Sequence, residues 1–389
     1  LAQCLETIEP LFLLVVRNPD EFARWRIERK GGLPSLNIAY FEMLEKGGKE
    51  DFQDSIQEYI KKELAQKLPK DQKILVVCAK GGTSDLVARI LGASGYKAFN
   101  LEGGMKAWGD FYDQKSLVAS PDLSIIQCIR PSRGCLSYVI TSGKEAIVID
   151  PLRIASFYTN LFHQLQVKPV LVLDTHAHAD HISGAHALSE QYKIPYHLHP
   201  YDGIHPLDML PAVFSYEPSW EGKTYKVGKA ELKTLHIPGH TLGNLAFLLN
   251  GKYLFSGDSI FLQSIARPDL GGRAKEWTPL HYQSLKKLLA LPDETVVLPA
   301  HFSSVEESNQ QFMYAGPLGQ LKKNNEGLIM AGKSLEEFSS YILNHLPEFP
   351  PEYIEIKRVN IGLTLPDEEK ASELELGKNI CAVGTSKKE

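Results

Sequence analysis

Short apolar runs alternate with amphipathic segments over the first part of the chain, and that alternation predicts a small α/β domain. Leu11 to Val16 and Ile74 to Val77 have the length and aliphatic content of buried strands, whereas Glu21 to Ile27 and Ser84 to Leu91 space their apolar residues at helical intervals. Strands separated by helices pair in parallel, so a parallel sheet is expected. Near residue 115 the pattern changes. Residues 114–122 are polar, with Ser and Pro, and read as a linker between a first domain at 1–113 and a second at 123–365. In the second, Ser137 to Ile149, Val170 to Leu173 and Tyr253 to Ser256 are hydrophobic stretches punctuated by turn residues. Ser334-Leu-Glu-Glu337 is a capping box that opens a helix whose Phe338, Ile342 and Leu346 share one face, a packing role. Residues 366–389 are charged, contain Gly and Ser and show no periodicity, so they read as a loosely ordered tail.

Composition narrows the class. At 389 residues, with 43% hydrophobic and 23% charged positions, the chain has the make-up of an ordinary globular protein of two or three domains. A net charge of −5 gives no general pull toward nucleic acid. Five irregularly spaced cysteines suit a reducing compartment rather than a disulfide framework. Lacking an apolar run of about eighteen residues or a basic-then-apolar leader, the sequence is expected to act without a membrane and in the cytoplasm.

The chemistry concentrates in His176-Ala-His178-Ala-Asp180-His181, directly after the apolar run Val170 to Leu173. Neutral imidazole and carboxylate are the donors that borderline divalent metals prefer, and a strand-to-loop junction would aim them at one point. Three further segments supply partners: His240 in Pro-Gly-His-Thr, Asp258 in Ser-Gly-Asp-Ser and His301 in Pro-Ala-His-Phe.

In their order, these four segments resemble the metallo-β-lactamase superfamily over about residues 120 to 365. The resemblance implies an αββα sandwich, two β-sheets between outer helices, with the ligands along the shared upper edge of the sheets. In two-metal members, His176, His178 and His240 would hold one ion, Asp180, His181 and His301 the other, and Asp258 would bridge. The remaining histidines match no ligand position of the superfamily, and Cys128 and Cys135, across the turn Pro131-Ser-Arg-Gly134, read as packing residues.

Upstream, Val76-Val-Cys-Ala-Lys-Gly-Gly-Thr-Ser84 places Cys78 at a strand end before a Gly-containing loop that enters a helix. Backbone N–H groups there would converge on the sulfur and stabilise a thiolate or persulfide. With Leu101-Glu-Gly-Gly-Met-Lys-Ala-Trp108, residues 1–113 resemble a rhodanese domain whose active-site cysteine is Cys78. The chain departs from that family at Ala79 and Thr83, where arginine is frequent, and at Val15-Val16-Arg17 in place of Asp-Val-Arg. Sulfane sulfur would then be held by backbone and Lys80.

A sulfur carrier fused to a metal domain points toward a sulfane-sulfur substrate. The stretch Ala266-Arg267-Pro-Asp269-Leu resembles the Gly-Arg-x-Asp segment of persulfide dioxygenases and lacks the Gly-Arg-Phe-Phe pattern of glyoxalase II; His178 stands where flavodiiron proteins have Glu. That resemblance implies one Fe(II) per chain held by His176, His240 and Asp258, with His178, Asp180, His181 and His301 placed around it, and Arg267 orienting the thiol carrier. The substrates would be a low-molecular-weight thiol persulfide and O2, the products sulfite and thiol. Self-association is left open. The alternatives are a two-metal zinc thioester hydrolase of the glyoxalase II kind and a sulfur-binding module with weak turnover.

Overall fold

A computed structural model describes residues 1–7, 9–120 and 122–384. The described residues fold into two compact units: Leu1–Phe111 together with Leu376–Lys378, and Tyr112–Glu375 together with residues 379–384. No helix among the described residues is long and apolar enough to cross a membrane.

The first unit carries a four-stranded sheet in the order β2-β1-β3-β4, comprising β1 (Leu11–Val15), β2 (Ser35–Asn37), β3 (Lys73–Val77) and β4 (Lys97–Asn100). Every pairing is parallel, as the strand–helix alternation predicts. In β3 every residue after Lys73 is buried, because helices cover both faces of a parallel sheet.

The second unit stacks two sheets. One runs β11-β10-β9-β8-β7-β6-β5, built from β5 (Asp113–Ala119), β6 (Ser124–Arg130), β7 (Cys135–Ser142), β8 (Glu145–Ile149), β9 (Lys168–Leu173), β10 (Tyr196–Leu198) and β11 (Glu217–Pro218). The other follows chain order through β12 (Thr224–Val227), β13 (Ala230–His236), β14 (Leu245–Leu249), β15 (Tyr253–Gly257), β16 (Val296–Pro299) and β17 (Gly316–Pro317). Side chains alternate along each strand, so Ile125, Ile140 and Ile147 meet Leu232, Phe247 and Phe255 between the sheets. Ile126, Val139 and Val148 face the other way, onto Tyr158, Leu161 and Leu188 of the helices Ala155–Leu165 and Ala185–Tyr192. The capping box forms as expected: Ser334 and Glu337 cap the helix Leu335–Asn344, which buries Phe338 and Ile342.

Two expectations are corrected. Most of the supposed linker is β5, an edge strand paired antiparallel with β6 from Asp113 opposite Ile129 to Ala119 opposite Ser124. An edge strand shows one face to water, so its polar alternation has a linker's composition. The supposed tail is packed as well over residues 366–384, and residues 385–389 lie outside those described. Asp367 caps the helix Glu368–Leu374, which buries Ala371 and Leu374 against Ile182 and Ile356. Directly after it, Glu375 is 2% exposed; its carboxylate lies 2.9 Å from Arg130 Nη1 and 2.9 Å from Arg153 Nε, and accepts from Ile182 N at 2.7 Å. Of the charges that suggested disorder, Glu375 is a specific buried partner, whereas Asp367, Glu368, Glu369, Lys370 and Glu373 stay exposed on the helix and its cap.

Burial works against the charge on Glu375, but Arg130 and Arg153 outweigh it and hold the carboxyl at about 2, below its ordinary 4.5. A depressed folded-state value means that protons bind the unfolded chain more tightly. Its stabilisation is therefore full above pH 4.5 and is lost as the pH falls toward 2. Glu375→Gln should destabilise the second unit by about 3 kcal/mol at neutral pH, since it leaves two buried guanidiniums short of their counterion. Urea unfolding should show this difference shrinking as the pH falls below 4.5; a pH-independent difference would contradict the assignment.

Candidate metal centre

Strand direction brings the predicted donors to one rim. β8 and β9 are parallel, so Asp150 and the segment from Asp174 leave the first sheet at the same edge. In the second sheet β13 and β15 share a direction through antiparallel β14, and β15 is parallel to β16, so His240, Asp258 and His301 follow strand ends at one edge.

Three of the donors form a closed group. Ligand atoms of His176, His240 and Asp258 all lie within 4.8 Å of one another, and all three residues are fully buried. Each is held at one atom and bare at another. His176 Nδ1 lies 3.0 Å from Thr175 Oγ1, His240 Nδ1 lies 2.7 Å from the Arg267 carbonyl oxygen, and Asp258 Oδ1 lies 2.5 Å from His301 Nδ1. The opposing atoms, His176 Nε2, His240 Nε2 and Asp258 Oδ2, have no hydrogen-bond partner. Buried polar atoms without partners are expensive, and three convergent ones fit a divalent cation. Burial, reinforced by His178 and His240, pushes His176 well below its ordinary value, which keeps it in the neutral form that binds metal. Burial opposes the charge on Asp258, yet His301 and His240 prevail and keep it an anion.

The other four predicted residues lie beside this group and bond largely to one another. His178 Nε2 lies 3.2 Å from Asp150 Oδ1 and groups with Asp150 and Asp174. His181 Nδ1 is 3.2 Å from Asp180 Oδ1, and His301 Nε2 is 2.9 Å from Asp180 Oδ2. His178 Nδ1 and His181 Nε2 are also without hydrogen-bond partners. His301, between two carboxylates, is driven well above its ordinary value by Asp180 and Asp258 despite its burial.

The residues that orient these donors carry no local sequence signal. Asp150, in the left-handed region at φ 50°, accepts from Thr175 N at 2.7 Å while bonding His178. Asp202 accepts from Ala177 N (2.8 Å), Thr241 Oγ1 (2.8 Å) and Gly243 N (3.0 Å), tying the His176 loop to the His240 loop. Asn360 donates to the carbonyls of His178 and His181, both at 2.8 Å. Such outer partners fix ring orientation and basicity. Cys135, expected only to pack, has its thiol 3.4 Å from Asp180 Oδ2, and Cys381 groups with Asp258 and His301. Cys128 packs under the outer face of the first sheet, as expected.

Arg267 is corrected. It is fully buried, and its guanidinium donates to both oxygens of Asp269 (2.6 and 2.7 Å) and to the carbonyls of Glu348, Ile380 and Pro347. A guanidinium has five N–H donors, and all are engaged, leaving none for a thiol carrier. Its contribution runs through its carbonyl, which receives His240 Nδ1.

In the first unit, Cys78 directly follows β3 ahead of the helix Gly82–Ala93. Its Sγ accepts from Gly81 N at 3.0 Å and Ser84 Oγ at 3.1 Å. Burial pushes the thiol up, but the Ser84, Gly81 and Lys80 hydrogen bonds together outweigh it and hold the thiol below its ordinary 9. The second motif supports this loop: Met105 N donates to the Cys78 carbonyl at 2.9 Å and Lys106 N to the Ala79 carbonyl at 3.0 Å. A Cβ at Gly104 would lie 2.4 Å from that Cys78 carbonyl oxygen, so the approach requires glycine.

Comparison with known proteins agrees with this geometry. Residues 130–301 match the metallo-beta-lactamase superfamily and residues 1–110 the rhodanese-like domain. An uncharacterised protein of Mycobacterium leprae is 30% identical over 193 residues, 44% of this chain and 87% of that protein. The chain therefore belongs to the metallo-β-lactamase superfamily, and it joins that domain to a rhodanese-like one. More particularly, the crystal structure of ETHE1 from Myxococcus xanthus is similar at a TM-score of 0.50 and 25% identity, over 64% of this chain and 98% of that one. A hydroxyacylglutathione hydrolase of Pectobacterium carotovorum subsp. carotovorum is 33% identical over 165 residues, 42% of this chain and 60% of that enzyme.

Arg267→Ala should remove the counterion of Asp269 and the donors of three carbonyls, destabilising the second unit by about 3 kcal/mol. Because the same segment holds His240, metal content after gel filtration should fall with it. Full metal retention at unchanged thermal stability would show that the guanidinium is not the anchor described.

Proposed function

We propose that the second domain is an iron-dependent persulfide dioxygenase and that the first carries sulfane sulfur on Cys78. The observation that carries this reading is the closed group of His176, His240 and Asp258, two imidazoles and one carboxylate with bare atoms converging. Such a set occupies one face of an octahedral ion and leaves the other open. Iron bound there would supply the redox chemistry of R–S–S⁻ + O2 + H2O → RSH + SO3²⁻ + H⁺. Asp202 and Asn360 hold the loops that present the donors, and the Arg267 carbonyl fixes the His240 ring. Burial of the whole group excludes bulk water. The likeness to the ETHE1 structure supports the same reading.

One observation favours the two-metal hydrolase instead. His178 Nδ1 and His181 Nε2 are bare as well, and a hydroxyacylglutathione hydrolase is among the relatives.

Metal analysis decides between them. Protein from iron-grown cells should contain close to one iron per chain, take up O2 with glutathione persulfide, release sulfite and leave S-lactoylglutathione uncleaved; Asp258→Ala should lose both iron and oxygen uptake. Two tightly bound zincs with thioester cleavage and no oxygen uptake would establish the hydrolase.

The carrier role of the first domain is tested separately. Persulfide treatment should add one sulfur to Cys78, seen by intact-chain mass spectrometry, and Cys78→Ser should abolish that increment while oxygen uptake with preformed persulfide persists. No increment on an active chain would make this domain a structural element.

A further inference from the structure

A second group of donors stands beside the first, and it contains a thiol. Ligand atoms of Cys135, Asp180, His181 and His301 all lie within 4.8 Å of one another, and all four residues are buried. Backbone pairing holds two of them in place: Cys135 opens β7 in an antiparallel bridge to His301, and Leu136 N donates to the Ala300 carbonyl at 2.7 Å. Asp180 divides its oxygens between the others. Its Oδ1 lies 3.2 Å from His181 Nδ1, while its Oδ2 lies 3.4 Å from Cys135 Sγ and 2.9 Å from His301 Nε2. For all this crowding, His181 Nε2 and His301 Nε2 make no hydrogen bond among the described residues.

The spacing fits ligands that share one ion. A thiolate at about 2.3 Å and a carboxylate oxygen at about 2.0 Å from a tetrahedral ion stand about 3.5 Å apart, close to the 3.4 Å between Cys135 and Asp180. The group also departs from the two-metal pattern expected from the sequence, in which Asp258 bridges. Asp258 Oδ1 is engaged by His301 Nδ1 at 2.5 Å, so only Oδ2 is left bare, for the three-donor group. A carboxylate behind the ring fixes His301 with Nε2 turned to Asp180. We propose that Cys135 supplies a thiolate which, with Asp180, His181 and His301, closes a four-donor zinc site beside the open three-donor group, so that the two positions take different metals. Four protein ligands leave no place for substrate, and a thiolate among them favours zinc over iron. The site is structural: it ties the start of β7 to the His181 loop and to His301. The bare nitrogen of His181 is then accounted for without a hydrolytic pair of ions. This inference goes beyond the persulfide reading and does not depend on it.

The test is zinc X-ray absorption on the full chain from cells grown with both iron and zinc. The unmodified chain should hold close to one zinc beside its iron, with one sulfur at about 2.3 Å from the zinc. Cys135→Ser should remove that sulfur and weaken zinc binding at least about a hundredfold, more than the loss of an outer partner costs, while iron content persists. Cys381→Ser and Cys78→Ser are the controls, since Cys381 groups instead with Asp258 and His301 and Cys78 lies in the other unit; both should keep the sulfur. If thermal melting shows that Cys135→Ser fails to fold, the spectra of the unmodified chain and of the two controls still decide. A chain without zinc, a zinc shell without sulfur, a sulfur that survives in folded Cys135→Ser, or one that disappears with Cys381→Ser or Cys78→Ser overturns the proposal. Failure of the persulfide reading would appear elsewhere, as no oxygen uptake with glutathione persulfide while the zinc–sulfur shell is unchanged.

Discussion

Charge burial is the constraint around which the second domain is built. Asp150, Asp174, Asp180, Asp202 and Asp258 all lie out of water, among the imidazoles of His176, His178, His181, His240 and His301. A carboxylate in such a place must find hydrogen-bond donors, an opposite charge or a metal ion, or it takes up a proton. Which of these applies depends on position, and burial raises Asp174 to about 7, toward the protonated form. Asp202 is satisfied by backbone and hydroxyl donors and so becomes a rigid fixture; Asp180 is satisfied by histidines; Asp258 keeps one oxygen without a hydrogen bond. The reactive corner is the one where satisfaction is left incomplete.

This explains what the sequence disclosed. The donors were legible because each is a histidine or aspartate just past an apolar strand, and a strand end can be recognised from its neighbours alone. Their supports were not. Asp150, Asp202, Asn360 and Glu375 look like ordinary polar residues, and only the returning chain shows what they hold. Arg267 failed differently: resemblance singled out the residue, but not the direction of its guanidinium, which the loop at Pro347 and Glu348 decides. The strand β5 and the end of the chain were misjudged for a common reason. Composition reports how polar a segment is, and polarity does not distinguish charges in water from charges in buried pairs.

The two chemical sites handle anionic character by different means. Around Cys78 backbone and hydroxyl donors of a single short loop converge on the sulfur and favour its anionic form, so the device is local and its residues adjoin in sequence. Around Asp258 the partners come from strands and loops far apart in the chain. A loop of the first kind depends on a few glycines, whereas a centre of the second kind depends on the completed domain.

The placement of Glu375 and Asn360 bears on how the protein is made. Asn360 grips the carbonyls of His178 and His181, Glu375 holds Ile182 N, and the Cys381 carbonyl receives Arg267 N. All three clamps lie at the end of the second domain, whereas the segments they steady are synthesised much earlier. During synthesis the histidine loops therefore emerge without their supports, and a domain of this kind completes its packing only once its last segment is free. The supports of the histidine loops are complete only once the chain has been made as far as Cys381. A truncated or stalled product would expose unfinished histidine and aspartate donors to whichever ion is most abundant.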